Sequence, residues 1–188
     1  FRTFPKGDKR RNDEFSSDIQ EFAVHGALLT HLDAFCHYSW NQKLYNGYAL
    51  ETVSQDNGCT KDSLDNLKEG IVTRGILVDM TRLKTATPRD PASTRVYPED
   101  IEAWEKQTGL KVSAGDALFA YNPAPPAPAG AGRGAGGGRG FDLSVMPWMK
   151  TRGVAVTSGV SAIPDDIHAD HRLTLVALGT YLIDGVDL

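Results

Sequence analysis

Residues 30–37 read Thr30-His31-Leu32-Asp33-Ala34-Phe35-Cys36-His37, and this stretch decides how the rest of the chain is understood. In a strand, alternate residues share a face, so His31 and Asp33 project the same way, side by side. An imidazole nitrogen and a carboxylate oxygen so placed can grip a single Zn²⁺ or Mn²⁺ ion. His25 has the same parity and joins them if the strand runs straight through Leu28 and Leu29. His37 comes four residues after Asp33, beyond the apolar Ala34-Phe35, and can turn back over the metal. The plainer alternatives are that the H-x-D is a chance match and that Asp33 only caps a helix. Cys36, next to His37, raises a Cys–His nucleophile, but adjacent side chains point apart, so Cys36 is expected to be a small buried filler.

The other histidines strengthen the metal reading. All five fall into two clusters, His25, His31 and His37 in one and His168 and His171 in the other, with none between. Histidines spread for packing would not group this way. Two or three ligands from one segment do not complete a site, and the second cluster with the later carboxylate Asp184 is the natural source of the remainder. Asp184 could also sit in a polar turn before Gly185, and His168 on the surface. A serine triad finds no G-x-S-x-G elbow in this sequence.

Around these clusters the chain is ordinary globular material. It has 188 residues, 40% hydrophobic and 23% charged, with a net charge of −4. That length suits one domain with a real core and excludes a wholly disordered chain. No apolar run is long enough for a membrane span, and the basic, polar opening Phe1–Arg11 shows no secretory signal, so no membrane partner is expected. A mildly acidic chain is also a poor candidate for nucleic acid, which demands concentrated positive charge. Two cysteines, Cys36 and Cys59, cannot make a disulfide scaffold or a four-thiolate site. Reduced thiols in the cytoplasm are the expectation.

Glycine and proline concentrate in residues 123–140, PAPPAPAGAGRGAGGGRG. Nothing there can form a core, so a low-complexity surface loop is expected. Gly132, Gly134 and Gly137 match G-x-G-x-x-G, but proline precedes them and glycine follows where a dinucleotide site needs a strand and a helix. Elsewhere the pattern alternates loosely between strands and helices. Strands are expected over Ile71–Met80, Val112–Tyr121 (broken by a turn at Gly115-Asp116), Gly153–Ser158 and Thr180–Asp184. Helices are expected from Pro98 to Thr108, stopped by Gly109, over Phe141–Arg152, and over His171–Leu178. A mixed α/β fold follows.

The ordered set of motifs resembles one family. Thr30-His31-Leu32-Asp33-Ala34, His37 and Tyr45-Asn46-Gly47 are similar to the opening of the metal-dependent cyclase-like hydrolases, which include bacterial kynurenine formamidase, isatin hydrolase and a zinc-dependent dienelactone hydrolase. Gly70–Asp79, Pro98-Glu99-Asp100, Gly115-Asp116, Pro147-Trp148, Gly153–Val156 and His171–Asp184 continue the match, so it covers most of the chain outside the insert and the first ten or so residues. The resemblance implies a single α/β domain over residues 1–188, of the swivelling β/β/α type, with a mixed, partly barrel-like sheet and flanking helices. It implies His31, Asp33, His171 and Asp184 as metal ligands and His37 as the acid/base histidine; His25 stands six residues before His31, as in a longer-motif branch of the family, and is either a further ligand or absent from a one-metal site. Zn²⁺ is the expected ion ahead of Mn²⁺, and Phe35, Trp40, Tyr45 and Trp148 are candidates to wall a substrate pocket, with a place in the core the equal alternative for such aromatics.

The implied activity is hydrolysis of a formamide, lactam or lactone bond in a small, aromatic or cyclic metabolite, by a homodimer or higher homo-oligomer. Three departures stand out: Ala27 replaces the family's first histidine, Tyr121-Asn122-Pro123 replaces an arginine–threonine–glycine turn, and Gly159-Val160 stands where an aspartate is usual. The family's opening strand and its substrate-contacting tryptophan are also expected to be missing upstream. The departures around Tyr121-Asn122 and Val160 support an alternative, a catalytically silent protein of the same fold that keeps the metal for binding or assembly. An arginine–glycine module that contacts RNA through residues 123–140 is a remoter third.

Overall fold

The computed structural model describes residues 2–3, 18–19, 29–83, 95–123, 140–160, 166 and 168–186. His25 and all but the two ends of the expected loop at 123–140 lie outside these residues. In chain order the strands are β1 (Arg2–Thr3), β2 (Asp18–Ile19), β3 (His31–Asp33), β4 (Val53–Ser54), β5 (Gly58–Cys59), β6 (Gly75–Asp79), β7 (Arg95–Val96), β8 (Ala117–Tyr121), β9 (Gly140–Phe141), β10 (Val156–Ser158) and β11 (Tyr181–Asp184). The helices are α1 (Pro98–Thr108), α2 (Val145–Arg152) and α3 (Ala169–His171), the last continuing as a π-helix over Arg172–Leu178.

Five strands form the main sheet in the order β3-β11-β10-β8-β6. The inner pairs are parallel, and β3 runs antiparallel to β11, which makes the sheet mixed as expected. The register places Asp33, Leu182, Thr157, Leu118 and Ile76 as successive cross-strand partners, one from each strand. Partners in register share a face. All five are buried, so this row is the floor of the core and Asp33 is its outermost member.

Two helices cover the β8–β6 end of that floor. α1 begins at Pro98, whose missing N–H costs nothing in a first turn. The Asp100 carboxylate accepts the Tyr97 backbone N–H at 2.7 Å, and Gly109 ends the helix in the left-handed conformation. Ile101 and Trp104 face inward at helical spacing and meet Met146 and Met149 of α2 above Ile76, Val78 and Leu118. Buried Glu105 joins the two helices by accepting hydrogen bonds from Arg152 and from the Val112 N–H.

Some expectations change. Val112 and Ser113, expected to open a strand, lie outside it, and the strand begins at Ala117; the turn expected at Gly115-Asp116 is present, held by the Asp116 carboxylate, which accepts the Ser113 N–H and is gripped by two nitrogens of Arg74. The helix expected from Phe141 starts at Val145, since Gly140–Phe141 pairs in parallel with β7. The cysteines are the larger correction. Cys36 is not a free buried filler: it is disulfide-bonded to Cys59, 23 residues on. The bridge ties the turn that ends at His37 to the β4–β5 hairpin, so these cysteines are not the reduced thiols expected of a cytoplasmic chain. Among the described residues no helix is long and apolar enough to cross a membrane.

Candidate metal centre

Asp33 sits at the edge of the core row, and its side chain is 0% exposed. A carboxylate taken wholly out of water is costly unless positive or metal-directed groups surround it. Three imidazoles do so here. The Nε2 atoms of His31 and His37 lie 3.5 and 4.0 Å from Asp33 Oδ1, and that of His171 lies 3.5 Å from Oδ2. Burial pushes the Asp33 carboxyl up, but contact with His171 and the fields of His37, His171 and His31 outweigh it and hold the group below its ordinary value.

Each histidine arrives by a different route. His31 shares a face with Asp33 as strand alternation requires, and its Nδ1 lies 2.9 Å from the Leu29 carbonyl. His37 ends a 3₁₀ turn, Phe35–His37, closed by its own N–H to the Ala34 carbonyl. That turn folds the imidazole back over Asp33, and it is pinned by the Cys36 N–H to the Asp62 carbonyl as well as by the disulfide. His171 ends α3, and Leu175 of the following π-helix packs with Phe35 and Leu182 against the same row that carries Asp33. π-helical turns are rare and concentrate at functional sites. Asp170 lies against His171, and hydrogen bonds to Asp170 and to Asp33 push the His171 imidazole up to about 10.

Among the described residues Asp33, His37 and His171 each offer one ligand atom within 4.8 Å of the others. A carboxylate and two imidazoles suit Zn²⁺ or another borderline divalent ion, so the residues fit the expected metal. His31 adjoins the group without belonging to it. Asp184 is the cross-strand partner of His31, but it too lies outside the three-donor group, and its Oδ1 accepts the Gly185 N–H.

The expected pocket walls divide. Phe35 is buried and stacks on Tyr181 at 4.1 Å, which makes it core. Tyr45 is half-buried and tilts against Phe35. Trp148 packs under Arg152 and donates to Glu102, on the α1–α2 side of the fold. Trp40 alone is 50% exposed, with the Arg172 guanidinium 4.3 Å over its ring. Sequence reasoning missed Tyr38, whose ring tilts against both His168 and His171, and Asp170. Neither belongs to a recognisable motif, and only folding brings Tyr38 to the second histidine cluster.

A mixed α/β sheet with a carboxylate and histidines gathered at its edge defines the class. The chain belongs to the family described as "Putative cyclase", whose sequence model matches residues 2–162. A crystal structure of a protein described as a novel cyclase shares the fold, with a TM-score of 0.70 at 20% sequence identity. The alignment covers 94% of this chain and 61% of that one, so the chain spans about three-fifths of that protein's length. No curated protein sequence matches the chain.

Proposed function

We propose that the protein is a metal-dependent hydrolase that cleaves the C–N bond of a formamide or lactam, or the C–O bond of a lactone, in a small aromatic or cyclic molecule. The observation that carries this reading is the wholly buried Asp33 carboxylate with three imidazole Nε2 atoms within 4.0 Å. Asp33 and His171 hold the ion, with His31 beside them and Asp184, the cross-strand partner of His31, as a further carboxylate; Zn²⁺ is favoured over Mn²⁺ by the imidazoles. A divalent ion in such a site polarises a carbonyl and lowers the pKa of a bound water toward 7.

The chain's own residues supply the rest. Asp33 brings the negative charge that a divalent ion needs in a buried place. His37, its side chain 31% exposed against 17% for His171, is the imidazole most open to substrate. Its Nε2 takes a proton from the attacking water and gives it to the departing nitrogen or oxygen, so that water adds across the broken bond. Trp40 offers an exposed aromatic face to the substrate. A homodimer or higher homo-oligomer, with no nucleic-acid or membrane partner, completes the proposal.

A second reading of His37 has its own support: it is one of the three donors within 4.8 Å, which makes it a third ligand. The test of function is a hydrolysis screen over formamides, lactams and lactones with metal-loaded and chelator-treated protein. Turnover that disappears with the metal supports the proposal. Metal retained without any turnover across the screen points instead to a silent binding protein.

A further inference from the structure

The proton arrangement of His171 is dictated by its neighbour in sequence. Asp170 is buried, and its Oδ1 accepts two hydrogen bonds from one residue, the His171 backbone N–H at 2.7 Å and the His171 ring at Nδ1, 2.8 Å away. A carboxylate has no proton to donate, so Nδ1 carries it. Nε2 is then the nitrogen left to offer a lone pair in the neutral ring, and Nε2 is the atom that faces Asp33. His31 is arranged in parallel, with Nδ1 on the Leu29 carbonyl and Nε2 toward Asp33. The difference is that the acceptor on His171 is charged.

We propose that Asp170 is the positioning residue of the metal centre. It fixes the Nε2-presenting tautomer of His171, holds the ring against rotation by gripping both the backbone and the side chain, and makes Nε2 a stronger donor through its charge. The inference rests on the metal reading of the site and adds to it a residue that touches neither ion nor substrate. Carboxylates that orient a ligating imidazole govern metal affinity in this way, and their loss costs about 10- to 100-fold.

Zinc affinity of the full chain, measured by competition with a chromophoric chelator at one fixed pH, tests this. Asp170→Asn keeps the oxygen acceptor and the shape but loses the charge. Asp170→Ala loses both. Asp166→Asn removes a neighbouring carboxylate that pairs with Arg172 and does not touch His171. The expected order is wild type and Asp166→Asn together, then Asp170→Asn, then Asp170→Ala about 10- to 100-fold below wild type. Melting of the zinc-free proteins separates positioning from mere support of the fold: Asp170→Asn should melt with wild type while binding zinc more weakly. If Asp170→Ala does not fold, Asp170→Asn decides alone. Wild-type affinity in Asp170→Asn, or an equal loss in Asp166→Asn, overturns the inference and leaves the metal reading standing. A wild-type chain that binds no zinc overturns both.

Discussion

Asp33 and His37 stand four residues apart, yet their predicted failures differ. Asp33 is wholly buried at the end of a core row, so its charge is supportable only with its partners around it. Replacing it or His171 by alanine should abolish metal binding and turnover together. Replacing His37 by alanine should leave most of the metal in place and slow turnover by about 10²- to 10⁴-fold, the usual worth of a positioned acid/base. Metal content decides the role: a His37→Ala protein as empty as His171→Ala makes His37 a ligand. Much of this site was legible in the sequence, because strand alternation relates His31 to Asp33 without any tertiary information. Asp170 was not. Neighbouring side chains in a helix ordinarily point apart, and the carboxylate reaches the imidazole of the next residue only through the local geometry at the start of α3.

Elements legible in the sequence were those whose ends are set locally. α1 runs over the expected residues because proline and glycine punctuate both its ends. At 112–121 the turn at Gly115-Asp116 was legible, but apolar Val112 resembles a strand residue and lies outside the strand, because the Asp116 carboxylate ties Ser113 into that turn. That carboxyl is held below its ordinary 3.8 by its bond to Arg74, with help from the Ser113 N–H and despite burial. A lowered folded value means stability that is present above the unfolded value and lost as pH falls through the folded one. Asp116→Asn should therefore be less stable than wild type near neutrality and flatten the acid limb of the stability curve below about pH 4, read by denaturant melts across pH.

The disulfide was illegible for a different reason. Cys36 and Cys59 meet only when the β4–β5 hairpin docks on the turn that ends at His37. A bridge closing a loop of this length is worth about 3 kcal/mol by the chain-entropy estimate. Reduction, or Cys59→Ser, should lower the melting temperature and also slow turnover by loosening His37, an effect that differential calorimetry and steady-state rates can follow side by side. At the other end of the site, Gly179 takes φ +68° where the π-helix stops, and an added Cβ would fall 2.1 Å from the Tyr45 ring. Gly179→Ala should cost at least about 1 kcal/mol from its backbone alone, with the Tyr45 displacement added, measured by denaturant unfolding.

At the scale of the molecule, one sheet joins two functions that the chain keeps apart in sequence. Its β8–β6 end and the α1–α2 pair make the larger core, while its β3 edge and the helix after His168 bring together histidines separated by more than half the chain. The sequence pattern announced an α/β fold and two histidine clusters, but their convergence on one carboxylate depends on β11 pairing with β3 and on Leu175 packing with Phe35 and Leu182. No local signal encodes either contact. Whether this convergence is a metal centre is decided by equilibrium dialysis of folded wild type and Asp33→Ala against Zn²⁺, followed by elemental analysis. Wild type should take up about one or two equivalents of zinc and the variant none. Folded wild type that takes up no metal, or Asp33→Ala that takes up as much, would rule the metal centre out.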